Sequence, residues 1–96
     1  MVKVEWTEEA ENDLDDIMAY ISKTSFQYTQ TFFKNVHESV ENLEIFPKIG
    51  SMVPESKDSQ DREIMLQKYR VIYRFIEEED KILILMIIHG SRLLRK

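Results

Sequence analysis

Apolar and polar positions organise this chain most clearly between Tyr69 and Arg92, which reads YRVIYRF, IEEEDK and ILILMIIHGSR. Two apolar runs around a short acidic connection form the pattern of two antiparallel strands joined by a tight loop. In the first run Tyr69, Val71, Tyr73 and Phe75 share one face, and Arg70, Ile72 and Arg74 share the other. The aromatic face needs something to pack on, and two arginines keep the opposite face out of a dry core. The second run, Ile82 to Ile88, is apolar at every position, which predicts a central strand covered on both sides. It leads straight into His89, Gly90, Ser91 and Arg92. The pair therefore reads as a hydrophobic platform with a basic rim.

Upstream, Val2 and Val4 alternate with Lys3 and Glu5 as far as Trp6, a short first strand. Thr7 stands at a helix N-cap position, with Glu8, Glu9 and Glu11 in the first turn, where carboxylates meet the positive end of the helix dipole. Ala10, Leu14, Ile17, Met18 and Ile21 follow at helical spacing and predict an amphipathic helix over residues 8–23. Asp13, Asp15 and Asp16 read as its solvated face. Thr24 and Ser25 interrupt the pattern and can cap a second helix, in which Phe26, Thr29, Phe32, Phe33, Val36, Val40 and Leu43 recur up to Phe46. Pro47 stops it. Two helices joined so closely form an antiparallel hairpin, the natural cover for the aromatic face of the platform. His37 reads as a surface or boundary side chain.

Lys48 to Asp61, with Gly50 and Pro54, reads as a loop, expected to be mobile around Ser56–Asp61. Arg62 to Leu66 (REIML) is short and alternating, a further strand. The expected order is β-α-α-β-β-β, an α+β fold forming a single domain over residues 1–96.

Composition narrows the function classes. The chain has no cysteine, which removes disulfides and thiolate metal sites and fits a reducing cytoplasm. Its first residues show neither a basic n-region nor an apolar h-region, so no signal peptide is expected, and the longest apolar run is far short of a membrane span. The net charge of −5 is unevenly distributed. Residues 1–55 hold 11 acidic and 4 basic side chains, whereas residues 56–96 hold 7 and 9. The overall sign argues against broad nucleic-acid binding and leaves room for a local basic site in the C-terminal half. There is no glycine-rich phosphate loop and no His/Asp/Glu cluster at metal-ligand spacing, so no cofactor and no metal are expected.

Taken in order, VEWTEEAENDLDDIMAYI, the FPKIG turn followed by Pro54-Glu55, REIML, YRVIYRF and IIHGSRLL span nearly the whole chain. In that order and spacing the chain resembles the RelE/ParE superfamily of type II toxins, often labelled plasmid-stabilisation proteins. The resemblance implies a helical hairpin packed on a small, mainly antiparallel sheet. It also implies a cytoplasmic bacterial toxin neutralised by a cognate antitoxin, in a toxin–antitoxin hetero-oligomer and with no membrane partner. The antitoxin's C-terminal segment would wrap the domain and could add a strand at a sheet edge.

Within this superfamily, RelE-like members enter the ribosome and cleave messenger RNA, whereas ParE-like members poison DNA gyrase. Cleavage by 2′-hydroxyl attack needs a base, cations on the scissile phosphate and a donor to the leaving oxygen. By resemblance, Arg70 matches a third-strand arginine, Arg92 an arginine after the fourth strand, and His89 a late catalytic histidine; these would be the catalytic set of a nuclease. Arg62 and Arg74 would contact the target or RNA. The chain departs from the nuclease pattern in having Glu63 beside Arg62 rather than closely spaced lysines, no tyrosine after Tyr73, and an acidic balance. HGSR and FPKIG/PE look more like ParE-type sequences. The favoured reading is a ParE-like gyrase inhibitor; a ribosome-dependent messenger RNA endonuclease and a degenerate toxin that only binds its antitoxin are the alternatives.

Overall fold

The structure, a computed structural model, describes residues 1–55 and 60–92. In chain order the elements are β1 (Lys3–Trp6), α1 (Glu8–Ser22), α2 (Phe26–Ile45), β2 (Ser51–Met52), β3 (Asp61–Leu66), β4 (Tyr69–Ile76) and β5 (Lys81–His89). The strands form one sheet in the order β1-β5-β4-β3-β2, with β1 parallel to β5 and every other pair antiparallel. This is the expected α+β arrangement with one addition. The segment Lys48–Asp61, expected to be a loop, contributes the two-residue strand β2, and its last residue opens β3. The mobility expected around Ser56–Asp61 falls mostly outside the described residues. Asp61 itself is buried.

The helical hairpin covers one face of the sheet. Thr7 caps α1 by accepting from the Ala10 N–H at 3.1 Å, and Ser25 caps α2 by accepting from the Tyr28 N–H at 3.0 Å. Ala10 and Ile21 of α1, and Phe32, Val36 and Leu43 of α2, pack with Leu66, Val71, Tyr73, Ile82, Ile84 and Ile87 of the sheet. Phe26, Phe33 and Phe46, which continue the apolar run along α2, are exposed. Phe33 lies about 100° round the helix from Phe32, off the narrow stripe of Phe32, Val36 and Leu43 that is buried.

The apolar strand β5 serves both faces through a bulge. Its pairing with β4 runs Tyr69↔His89 to Ile72↔Met86, then resumes at Tyr73↔Ile84, which leaves Leu85 as the extra residue. Ile82, Ile84 and Ile87 face the helices, whereas Leu85, Met86 and Ile88 pack with Ile72 and Val53 on the other side. The strand is interior, as expected. Its second face is only half covered, because Leu85, Met86 and Ile88 are partly exposed.

Side chains at the start of α1 hold this bulge in place. The Thr7 N–H donates to the Ile84 carbonyl at 3.1 Å, and the Thr7 hydroxyl lies 3.0 Å from the carbonyl oxygens of both Ile84 and Leu85. Beyond the Thr7 bond to Ile84 the chain no longer pairs with β5, and the Ile87 N–H donates instead to Asp13 Oδ2 at 3.0 Å. Asp13 is therefore not part of a solvated face, as its spacing suggested, but the partner of a strand amide that has lost its ladder. Asp13→Ala leaves that amide unpaired and is expected to destabilise the fold by about 1–3 kcal/mol, measured as a lowered urea midpoint. Asp15→Ala, about 200° round the helix from Asp13 and exposed, should leave the midpoint unchanged.

Candidate functional site

The basic residues of the platform leave the sheet on two different faces. Arg70 and Arg74 alternate with the aromatic positions Tyr69, Tyr73 and Phe75 of β4, which pack toward the helices, and point away from them. Arg62, opposite Tyr73, and His89, opposite Tyr69, lie on the helix side.

Arg70 is only 6% exposed. Its Nε donates to Glu63 Oε1 at 2.8 Å, and its Nη1 and Nη2 form a fork on Glu55, at 2.6 Å to Oε2 and 2.8 Å to Oε1. The second Nη2 proton meets Glu63 Oε1, and the second Nη1 proton reaches the Arg92 carbonyl oxygen at 2.9 Å. Arginine has five N–H donors, and all five are engaged. Hydrogen bonding to Glu55 raises the guanidinium pKa further, against the desolvation that opposes it. Removing one member of such a buried ionic group typically costs about 3–5 kcal/mol, because its partners are left uncompensated.

The other candidates have separate surroundings. Arg74 pairs with Asp61, its cross-strand neighbour, through Nε at 2.9 Å and Nη2 at 2.7 Å to Oδ1. Arg62 Nη1 donates to the Gly50 carbonyl at 2.8 Å and the Lys48 carbonyl at 3.3 Å. His89 is exposed at the strand end and stacks edge-on against Tyr69 at 5.7 Å. The Ser91 N–H donates to His89 Nδ1 at 3.2 Å, and the Ser91 hydroxyl lies 2.8 Å from the same nitrogen. The backbone N–H makes Nδ1 an acceptor, so a neutral His89 carries its proton on Nε2. The Arg92 side chain is exposed and makes no ion pair among the described residues. Arg70 and Arg92 do meet, but through the Arg92 backbone; Arg62 and His89 lie across the sheet from them.

Residues 4–94 match the family described as the ParE toxin of the type II toxin–antitoxin system parDE. The chain belongs to the ParE toxin family. No curated protein sequence matches it significantly. Among solved structures, the chromosomal ParDE system from P. aeruginosa contains a similar chain, with a TM-score of 0.73 at 23% identity over 95% of this chain and 98% of that one. A metal-bound toxin from Helicobacter pylori gives a TM-score of 0.73 at 17% identity, over 98% and 100% of the two chains. The intact E. coli RelBE toxin–antitoxin complex gives 0.65 at 14% identity, over 96% and 100%. At these identities the likeness is one of fold. Among the described residues, no group of three His, Asp or Glu side chains is placed to hold a metal ion.

The FPKIG turn is tied to the sheet through groups that periodicity does not reveal. Tyr73 is fully buried, as its parity required, yet its hydroxyl donates to the Pro47 carbonyl and accepts from the Gly50 N–H, each at 2.9 Å. A Cβ on Gly50 would fall 2.6 Å from the Glu63 carbonyl oxygen and 2.7 Å from the Tyr73 hydroxyl, so only glycine fits. Glu55 and Asp61 were also hidden in a stretch that reads as polar loop, and the one legible hint was Glu63, close to Arg70 on a neighbouring strand.

Burial raises the Tyr73 phenol above its ordinary value, against the Gly50 hydrogen bond that lowers it, and Tyr69 shifts upward by burial as well. Unfolded tyrosine ionises near pH ~10, while the folded phenol keeps its proton. This contribution to stability is therefore complete below that pH and lost as pH rises towards the folded value. Tyr73→Phe should lose about 1–3 kcal/mol at neutral pH, from the unpaired Gly50 N–H, yet decline less steeply than the parent in urea titrations between pH 9 and 11. An equal slope would remove Tyr73 from the alkaline transition.

Proposed function

We propose that this type II toxin acts as a non-catalytic, ParE-like inhibitor of DNA gyrase. The observation that carries this reading is the engagement of Arg70. A nuclease would use that guanidinium on a phosphate, but here it is enclosed by Glu55, Glu63 and the Arg92 carbonyl. A ribosome-dependent nuclease would have to strip both carboxylates from Arg70 and bring His89 to the other face. The accessible groups at the end of β5, namely His89, Ser91 and Arg92, suit a protein contact instead, with Arg92 as its exposed cation. The match to the ParE family over residues 4–94 supports the same target.

The partner that restrains it is a cognate antitoxin, as in the ParDE and RelBE assemblies of similar fold. A groove of about 340 Å³ between the helices has Trp6, Leu14, Phe33, Val36 and Val40 on its walls, with Glu11, Asp15 and His37 among its polar groups. An amphipathic antitoxin segment with basic flanks would cover this apolar surface and meet the acids.

Induced expression is expected to produce double-strand breaks and SOS induction with intact messages, and the purified toxin should convert supercoiled DNA to linear form only when gyrase is present. Codon-phased message cuts abolished by Arg92→Ala or His89→Ala would overturn this reading. For the antitoxin, Phe33→Asp changes an exposed groove residue and should leave killing intact while reducing rescue by the co-expressed antitoxin at least tenfold. Undiminished rescue would place the antitoxin elsewhere.

A further inference from the structure

Arg70 holds together three parts of the chain that are distant in sequence. Glu63 belongs to β3, Glu55 to the segment that follows β2, and the Arg92 carbonyl to the chain leaving β5. The Gly90–Arg92 turn has few other anchors. The Gly90 N–H donates to the Lys68 carbonyl at 2.6 Å, and the Arg92 N–H to the His89 carbonyl at 2.9 Å. The Ser91 N–H and hydroxyl reach only His89 Nδ1, at 3.2 and 2.8 Å within the same turn, and the side chains of Ser91 and Arg92 are exposed. The Arg70 hydrogen bond is therefore the contact that fixes where the Arg92 backbone sits over the outer face.

Glu55 and Glu63 are what aim this bond. A guanidinium is planar, and a fork on Glu55 together with the Nε edge on Glu63 fixes its plane and rotation. The one remaining N–H then points at the Arg92 carbonyl. Val53, buried against Ile72, pins the segment that carries Glu55 to the same face.

We propose that Arg70 is a positioning residue of the toxin: it touches no target, and it sets the Arg92 turn in the geometry that the target recognises. This rests on the proposal above that the end of β5 is the target contact. Lysine at position 70 would keep the charge, but its three N–H donors on one nitrogen cannot span two carboxylates and a carbonyl.

The test compares Arg70→Lys and Glu55→Gln with the parent, and with Ile21→Ala, a core substitution remote from the turn that serves as a stability control. Amide hydrogen exchange is read at Arg92 and, as internal references, at Ile84 and Val71. Killing is read on induction in cells. Both clamp variants should speed exchange at Arg92 at least tenfold relative to the references and lower killing at least tenfold, while Ile21→Ala shifts all three amides together and still kills. Exchange at Arg92 that merely follows the references would overturn the proposal, as would faster exchange at Arg92 with undiminished killing. Should Arg70→Lys fail to fold, Glu55→Gln alone decides by the same criteria. Arg92→Ala separates the two claims: normal killing by that variant would count against the target surface, while the exchange rates judge the clamp by themselves.

Discussion

A buried guanidinium has to find an acceptor for every proton it carries, and much of this fold is arranged around meeting that requirement at Arg70. Parity places the side chain on the face of β4 that the helices leave open. An arginine there would ordinarily reach for solvent, with only its stem covering the sheet. Here the residues that follow β2 lie over it: Val53 lands on Ile72, and Glu55 closes the fork. The desolvation of such a group is offset only when its geometry is complete. Completeness links the loop, the hairpin and the end of β5 into one unit.

The opposite face solves a different problem. The all-apolar run Ile82–Ile88 within β5 has no polar side chain to tell its two faces apart, so sequence alone leaves its register weakly specified. The bulge at Leu85 divides its residues between two clusters, and polar groups at the start of α1 fix where the division falls. Thr7 takes three tasks at that point: it caps α1, extends the pairing of β1 with β5, and meets the carbonyls of the bulge. Asp13 then replaces the strand that is missing beside Ile87. The helical hairpin is thus joined to the sheet by directional bonds as well as by its apolar stripe.

Much of this architecture was legible in the sequence, because helix caps, helical spacing and strand parity are local signals. Thr7, Ser25 and Pro47 mark the helix ends, and Tyr69 to Phe75 separate into faces as alternation requires. The Arg70–Glu63 pairing was also open to view, since the two lie on successive strands of a tight hairpin. What escaped detection depends on contacts between distant segments. Nothing in the vicinity of Pro54 announces that Glu55 will meet Arg70, and an aspartate at the end of a polar loop gives no sign that it will be buried beside Arg74. The bulge is invisible because every residue of the run is apolar, and Asp13 looked like its exposed neighbours because a strand amide as its partner leaves no mark in helical spacing. The candidate site was therefore readable as a set of residues but not as an arrangement. Grouped by resemblance, Arg62, Arg70, Arg74, His89 and Arg92 suggest a basic active site; in the fold they divide between two faces, and the guanidinium groups of Arg62, Arg70 and Arg74 are held by internal partners.

The enclosure of Arg70 can be observed directly by NMR of the arginine side chains in the free protein at neutral pH. With all five protons held, rotation about the guanidinium bonds is blocked, and Arg70 should show one Nε–H and four separate, slowly exchanging Nη–H signals that merge in Glu55→Gln. A single averaged Nη signal in the parent would contradict the account, because a freely turning guanidinium would be available to a phosphate.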